Sequence, residues 1–437
     1  MKTDILIVGS GCSGLYCALH LPPDKHIMII TKADLESSDS FLAQGGMCML
    51  RDESDYDAYF EDTLRAGHYE NDRKSVEIMI RSSQDLVSDL LSYGVEFARE
   101  EDGSLAFTRE GGHSGKRIVF HKDITGKEIT AKLLEKVKTL PDVAIMEYTT
   151  LVDILCEDNI CYGAVIRHSD GTLETVEADY TVLATGGVGG LYRHSTNYRH
   201  LTGDALAIAI RHNVRLQDID YVQIHPTTLY SQKPEDRSFL ISESVRGEGA
   251  KLYDRSMQRF VDELLPRDIL SKEIKKQMEK DGTEHVWEDL RPIPEEELDS
   301  HFPNIVEKCR QRGYDVAKEC IPVVPAQHYF MGGIKVDHES RTSMGRLYAI
   351  GETACNGVHG KNRLASNSLL ESMVFAKRAA RDLGEHYDAV RNNPKLFQDV
   401  DLSLYADESA LRENYRALVK NEMEKQEKSR KEEKNNV

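Results

Sequence analysis

Long hydrophobic runs are missing from these 437 residues. No apolar stretch approaches the roughly 18 residues a membrane helix requires. The N-terminal segment MKTDILIVGSGCSGLYCALHL superficially suggests a secretory leader, but Asp4 and the glycines and serines between Gly9 and Gly14 interrupt its apolar core. A basic stripe is missing as well: Asp and Glu outnumber Lys and Arg 74 to 56, the formal net charge is −18 and the pI is about 5.4. Nucleic-acid and anionic-membrane surfaces need clustered cations, so neither partner is expected. The eight cysteines contain no C-x-x-C pair. At this length a disulfide framework is not expected, and free thiols in a reducing cytoplasm are. Cys156-x4-Cys161 flanks the turn Glu157-Asp158-Asn159, and a metal there would need two further ligands that the sequence does not offer. Internal repeats are absent, and the chain is too long for one ordinary core, so two or three domains are expected.

What is present begins at residue 4. Asp4-Ile-Leu-Ile-Val8 reads as a buried strand, Gly9-Ser10-Gly11-Cys12-Ser13-Gly14 follows, and Leu15-Tyr16-Cys17-Ala18-Leu19 opens a helix. In this strand–turn–helix context G-x-G-x-x-G binds a dinucleotide. Gly9 permits the turn, Gly11 lets a pyrophosphate approach the backbone, and Gly14 allows close helix–strand packing. The second strand, His26–Ile30, ends in Thr31-Lys32 rather than in the acid that binds an NAD ribose, with Asp34 and Glu36 displaced along the loop. That weakens a plain NAD reading. Asp39-Ser40-Phe41-Leu42-Ala43-Gln44-Gly45-Gly46 supplies glycines suited to backbone contact with a flavin ring and pyrophosphate.

Residues 71–93 show the periodicity of one amphipathic helix stopped by Gly94. From Val143 to Leu183 the pattern alternates, with turns at 157–159 and 169–171, and reads as a β-meander. A buried strand then ends at Gly186-Gly187, and Thr202-Gly203-Asp204 opens a helix. There Asp204 serves either the helix dipole or the flavin. Residues 219–329 are richer in charge and read as an insertion. Leu347–Ile350 is a further strand, followed by Gly351-Glu352, a loop, and a helix expected near Ser366 with a capping box between Ser368 and Glu371. His359 and Arg363 in that loop are placed to face an anionic substrate.

GETACNGVHGKNRLASNSLLES, residues 351–372, resembles the C-terminal flavin signature of the succinate dehydrogenase and fumarate reductase flavoprotein family. Matching segments run from residue 4 to about residue 380, and within the family the chain is most similar to the L-aspartate oxidases. The resemblance implies an α/β fold: a Rossmann-like FAD-binding domain with a β-meander (1–218 and 330–395) and an inserted α+β capping domain (219–329). Past Ala380 it fades, and the charged run that ends the chain reads as a short helical, partly disordered tail (396–437). The resemblance implies FAD as cofactor, contacted by residues 9–14, Lys32, residues 39–46, Leu151, Val152, Asp204, Glu352, Ser368 and Leu369. The family's respiratory members carry a histidine bonded covalently to FAD five positions before the equivalent of Gln44. Asp39 stands there, so the flavin is expected to be non-covalent.

The resemblance further implies oxidation of L-aspartate to iminoaspartate with oxygen or fumarate as electron acceptor, and a functional coupling to quinolinate synthase in NAD biosynthesis. Arg267 would exchange a proton with substrate. Glu110, where fumarate reductases have glutamine, would meet the substrate ammonium, a pairing of opposite charges. Gln223, His225, Ser242, Glu243, His328 and Arg363 would hold the carboxylates, with Glu243 or Glu248 in a proton relay. Lys361 replaces the family's usual alanine, and either changes the charge of the loop or points to solvent. A soluble fumarate reductase or succinate oxidase is the neighbouring reading, and a flavin-binding docking subunit with little turnover is the reading from another class.

Overall fold

The computed structural model describes residues 1–232, 237–389, 396–397 and 399–435. A seven-stranded sheet forms its base. Five strands run parallel in the order Val143–Met146, Ile27–Ile30, Lys2–Val8, Leu173–Leu183, Leu347–Ala349. The long strand Leu173–Leu183 joins two architectures. Its first half pairs antiparallel with Ile160–Arg167, which pairs in turn with Thr150–Glu157, while its last residues pair parallel with Leu347–Ala349. The meander therefore has three strands. Val143–Met146, which the alternation had assigned to it, lies parallel to Ile27–Ile30 at the far edge. Alternation marks a strand with one half-buried face but not its partner.

The glycine turn works as its spacing requires. Gly9 has φ of +123°, and a Cβ there would meet the Ala184 carbonyl oxygen at 2.0 Å. Only glycine lets the turn pass this close to the neighbouring strand. The helix Cys12–His20 packs on Ser368–Glu385 through Leu15, Leu370, Met373 and Phe375, all buried in one apolar core. The expected single helix over 71–93 is two, Arg73–Arg81 and Ser83–Ser92. Between them the Ser83 hydroxyl donates to the Ile80 carbonyl at 2.6 Å and accepts from Leu50 N at 2.9 Å. A side chain competing for backbone groups breaks the ladder without disturbing the apolar stripe.

A second sheet, ordered Val222–Leu229, Ile321–Phe330, Val286–Asp289, Lys251–Tyr253, has its own core with the helices Arg267–Asp281, Glu295–His301 and Pro303–Gln311. Its first two strands are antiparallel, with register shifts between Gln223 and Ile224 and between His225 and Thr228. Such irregularities re-aim side chains, and here they bring the His225 and His328 rings to a centroid separation of 5.0 Å.

The C-terminal segment is helical, as expected. Glu408–Asn435 is one helix, and it docks on Asp204–Arg211 with Tyr415 and Val419 buried. Arg430 clamps its far end, with Nε 3.0 Å from Asp220 and Nη1 donating to the Tyr221 hydroxyl at 2.8 Å. One apolar contact per turn suffices to seat a helix that is polar elsewhere, and a charge count does not register it. The expected boundary at 395/396 falls at residues 390–395, outside the described residues.

Candidate functional site

One long cavity runs from the glycine turn to the second sheet. At its first end lie Gly9 to Ser13, Thr31, Lys32, Thr149 to Leu151 and Gly203-Asp204. Helix Cys12–His20 begins here with its N-terminus toward the cavity, a setting for a pyrophosphate, and its Cys12 N–H donates to Ser40 Oγ at 3.0 Å. Lys32 Nζ donates to Asp204 Oδ2 at 2.5 Å and to the His200 carbonyl at 3.0 Å. Asp204 thus both opens a helix and lines the cavity. Residues 38–40 and 42–46 form the middle wall with Glu352, Ser368 and Leu369.

Several buried polar atoms in this wall have no protein partner: Ser38 Oγ, Asp39 Oδ2 and Gln44 Oε1. Buried polar groups are ordinarily satisfied, so these mark places where a polar ligand fits, as the hydroxyls and ring edge of FAD would. Asp39 Oδ1 accepts from Tyr198 N at 3.0 Å, and burial pushes its carboxyl up to about 7. Burial, then the nearby Asp39, pushes Glu352 up to about 8.

The far end is lined by Glu110, His225, Ser242, Glu243, Arg267, His328, Tyr329 and Arg363. Arg267 Nε donates to Glu243 Oε2 at 2.5 Å, and its Nη1 donates to Gln223 Oε1 at 2.9 Å. Gln223 passes its own NH2 to Asn362 Oδ1 and the Arg363 carbonyl, both at 2.8 Å. Arg363 Nη1 donates to Ser368 Oγ at 2.7 Å, its guanidinium stacks 4.4 Å over the Tyr329 ring, and its buried Nε has no partner. Burial, then the Arg267 charge, pulls it down to about 10. Burial, then Arg267, also holds His225 and His328 well below the usual histidine range, so both rings are neutral. His328 is oriented by Thr196 Oγ1 at 2.7 Å from Nδ1, while the buried Nε2 of His225 is unpartnered.

Glu110 is 3 % exposed and accepts from Ser244 Oγ and Ser366 Oγ, both at 2.6 Å. Burial and the neighbouring Glu243 raise its carboxyl. Glu243 moves the other way because Arg267 and Arg246 outweigh its burial. The end of the cavity therefore holds two guanidinium groups, two neutral imidazoles and two fixed carboxyl groups, Glu243 bonded to Arg267 and Glu110 held by serines. It matches a small dianion carrying one cationic substituent.

Most sequence-predicted residues meet in this cavity, and some do not. Phe41 turns into the apolar core, because the short helix Asp39–Leu42 points it there. Val152, one pleat on from Leu151, faces a small core with Tyr405 instead. Gln223 stands behind Arg267 rather than on the cavity wall. His359 is turned away, 3.4 Å from the Tyr329 hydroxyl and 3.8 Å from Glu371. Glu248 pairs with His301 at 2.9 Å and takes no part in the wall. Lys361 is not part of the wall and lies 4.0 Å from Glu70.

The helix Ser368–Glu385 starts two residues after Ser366, and its capping box is not made: Ser368 holds Arg363 while Glu371 accepts from Asn356. Thr196, Ser244, Asn362 and Ser366 were missed. Asn362 and Ser366 lie inside the stretch 351–372 and Ser244 is next to Glu243, whereas Thr196 carries no sequence signal.

The FAD binding domain family model matches residues 4–369. The L-aspartate oxidase of Clostridium perfringens is 49% identical over 385 residues, covering 88% of this chain and 87% of the relative. That of Clostridium acetobutylicum is 46% identical, covering 90% and 91%. The chain belongs to the L-aspartate oxidase family. Among solved structures, the quinol fumarate reductase of E. coli superposes with a TM-score of 0.86 at 30% identity, over 93% of this chain and 74% of that one. A flavocytochrome c3 fumarate reductase gives 0.70 at 25% identity. Family and fold thus agree with the cavity's division into a dinucleotide end and a dianion end.

Proposed function

We propose that this flavoprotein oxidises L-aspartate to iminoaspartate. The observation that carries the reading is Glu110, a buried carboxylate fixed by two serine hydroxyls beside the guanidinium groups of Arg267 and Arg363. A dicarboxylate alone gains nothing from a third carboxylate in its site. One with an ammonium on Cα gains a charge-assisted hydrogen bond of about 1.5–3 kcal/mol.

FAD, held by residues 9–14, Lys32, Asp39, Gln44 to Gly46, Leu151, Asp204, Glu352 and Ser368-Leu369, accepts a hydride equivalent when bound. The rest is done by the chain. Arg363 binds one carboxylate through its planar fork, and its stack on Tyr329 and bond to Ser368 fix that plane. The neutral His225 and His328, with Ser242, hold the other as donors without adding charge. Such positioning is worth several kcal/mol of barrier. Arg267 takes the substrate proton at one guanidinium nitrogen as it gives its Nε proton to the Glu243 carboxylate. Glu243 at 2.5 Å and Arg246 at 4.0 Å from Glu243 continue the line away from the cavity.

The same clamp accepts fumarate, an unsaturated dianion with the two carboxylates and no ammonium, so fumarate or oxygen serves as the electron acceptor. No helix among the described residues is long and apolar enough to cross a membrane, and the reading places the protein in the cytoplasm. The labile imine would pass to quinolinate synthase for NAD biosynthesis.

Anaerobic titration of the purified flavoprotein decides the matter. Bleaching of the flavin band by L-aspartate and not by succinate is the expected result. Bleaching by succinate alone moves the protein to the dicarboxylate branch.

A further inference from the structure

Behind the nucleotide end of the cavity lies a second group of reactive side chains that the flavin chemistry does not use. Cys156 is the penultimate residue of the strand Thr150–Glu157, and His212 follows the helix Asp204–Arg211 as its C-cap. Cys156 Sγ lies 3.2 Å from His212 Nδ1, and His212 Nε2 lies 2.7 Å from Asp153 Oδ1. Asp153 is itself fixed: its Oδ2 accepts from the Tyr405 hydroxyl at 2.9 Å and lies 3.4 Å from Arg211 Nη2, and Oδ1 also accepts from Ile154 N. Thiol, imidazole and carboxylate in line is the arrangement that activates a cysteine, the third group orienting the second.

The contact with Asp153, then that with Cys156, pushes His212 up to about 9 against its burial. The ring is therefore an imidazolium at neutral pH. Both of its nitrogens carry hydrogen, and one N–H faces the sulfur at 3.2 Å.

Three further observations define the chemistry. Seven of the eight cysteines are buried, and Cys156 is the one with partial exposure. Cys161 stands across the hairpin as its Cα partner, and both side chains belong to the same apolar cluster. Opposed Cα atoms in such a pair lie about 4.5–5.5 Å apart, inside the range of about 4.4–6.8 Å that a disulfide spans. Cys161 is not an activated thiol: its Sγ contacts Thr181 Oγ1 at 3.6 Å, and burial pushes it up to about 11. Finally, no three His, Cys, Asp or Glu side chains among the described residues are grouped to hold a metal ion. A partly covered thiol with a buried thiol opposite suits a small two-electron oxidant rather than a bulky substrate.

We propose that Cys156 and Cys161 form a peroxide-reactive dithiol in which Cys156 is the nucleophile, His212 its proton donor and Cys161 the resolving thiol. The Cys156 thiolate attacks one oxygen of a hydroperoxide. The S–O bond forms as the O–O bond breaks, and the departing oxygen takes the Nδ1 proton of His212, leaving as water when the oxidant is hydrogen peroxide. Cys156 is then a sulfenic acid, oxidised by two electrons. The Cys161 sulfur attacks it, the S–S bond forms as the S–O bond breaks, and the hydroxide leaves as water with the Cys161 proton. In total two thiols and one hydrogen peroxide give one disulfide and two waters.

The test treats the full-length flavoprotein with hydrogen peroxide in the presence of dimedone and follows the peptides by mass spectrometry. Cys156 is expected to oxidise at least tenfold faster than free cysteine at the same pH. The wild type should yield the 156–161 disulfide, and Cys161→Ser the dimedone adduct at position 156. His212→Gln should slow oxidation at least tenfold with flavin content and melting temperature unchanged. A wild-type rate at or below that of free cysteine overturns the proposal, and this comparison stands even if the His212 variant does not fold. An undiminished rate in folded His212→Gln overturns it too, as does a wild type that accumulates dimedone adduct and no disulfide.

Discussion

Glu243 Oε2 lies 2.5 Å from Arg267 Nε, and both groups are buried at the substrate end of the cavity. An arginine is a poor proton acceptor in water. Here a carboxylate shares its proton, and a second guanidinium, Arg246, stands 4.0 Å beyond. Arg267→Lys keeps the positive charge but cannot bond Gln223 and Glu243 together through a planar fork. Turnover with L-aspartate is expected to fall about 10²–10⁴-fold, the usual span for a lost general acid or base. Flavin content should stay the same. A rate within threefold of wild type, read by stopped-flow flavin reduction, excludes Arg267 from proton transfer.

Glu110→Gln tests specificity rather than chemistry. The amide retains both serine contacts in shape but loses the charge that meets an ammonium. The expected loss of about 1.5–3 kcal/mol is roughly 10–150-fold in kcat/KM for aspartate. Fumarate reduction by the same variant should change less than threefold. Equal losses on both substrates would make Glu110 a structural residue.

How much of this was legible beforehand follows from how each feature is encoded. The glycine turn and the strand ahead of it are local, so Gly9 to Gly14 could be read directly. The cavity wall from Leu42 to Gly46 was readable for the same reason. Partners set by tertiary pairing were not. Thr196 reaches His328 from 132 residues away, and nothing near either residue announces it. Ser368 and Glu371 have the spacing of a capping box, yet tertiary bonds to Arg363 and Asn356 take both side chains. The docking of the C-terminal helix was not legible, because Tyr415 and Val419 are two buried side chains in a segment dominated by charge.

Asp39 predicts a pH effect on the protein without flavin. Its carboxyl is raised to about 7, against an ordinary value near 3.9. Between these values the folded state holds a proton that the unfolded state has released. Stability is therefore lost as pH rises through that window. Asp39→Asn removes the penalty, so the variant should gain more in melting temperature over wild type at pH 8 than at pH 5. Thermal unfolding of the apoprotein at the two pH values measures this. An equal shift at both would show that Asp39 keeps an ordinary carboxyl.

The docked C-terminal helix makes a last prediction. Val419 is fully buried, and a Cβ built on Gly203 would lie 3.6 Å from its Cγ1. Gly203 and Asp204 line the nucleotide end of the cavity, so the helix supports the cavity from behind. Val419→Ala should cost about 2 kcal/mol, the scale for removing buried methyl groups. Arg430→Ala, which frees Asp218, Asp220 and Tyr221 together, should cost about 1 kcal/mol because its ion pairs are partly solvated. If the helix is part of the cavity's support, Val419→Ala will also weaken FAD binding. Arg430→Ala, at the far end, will lower stability alone. Fluorescence titration of the apoproteins with FAD separates the two effects. Identical affinities in Val419→Ala and wild type would confine the helix to a role in stability.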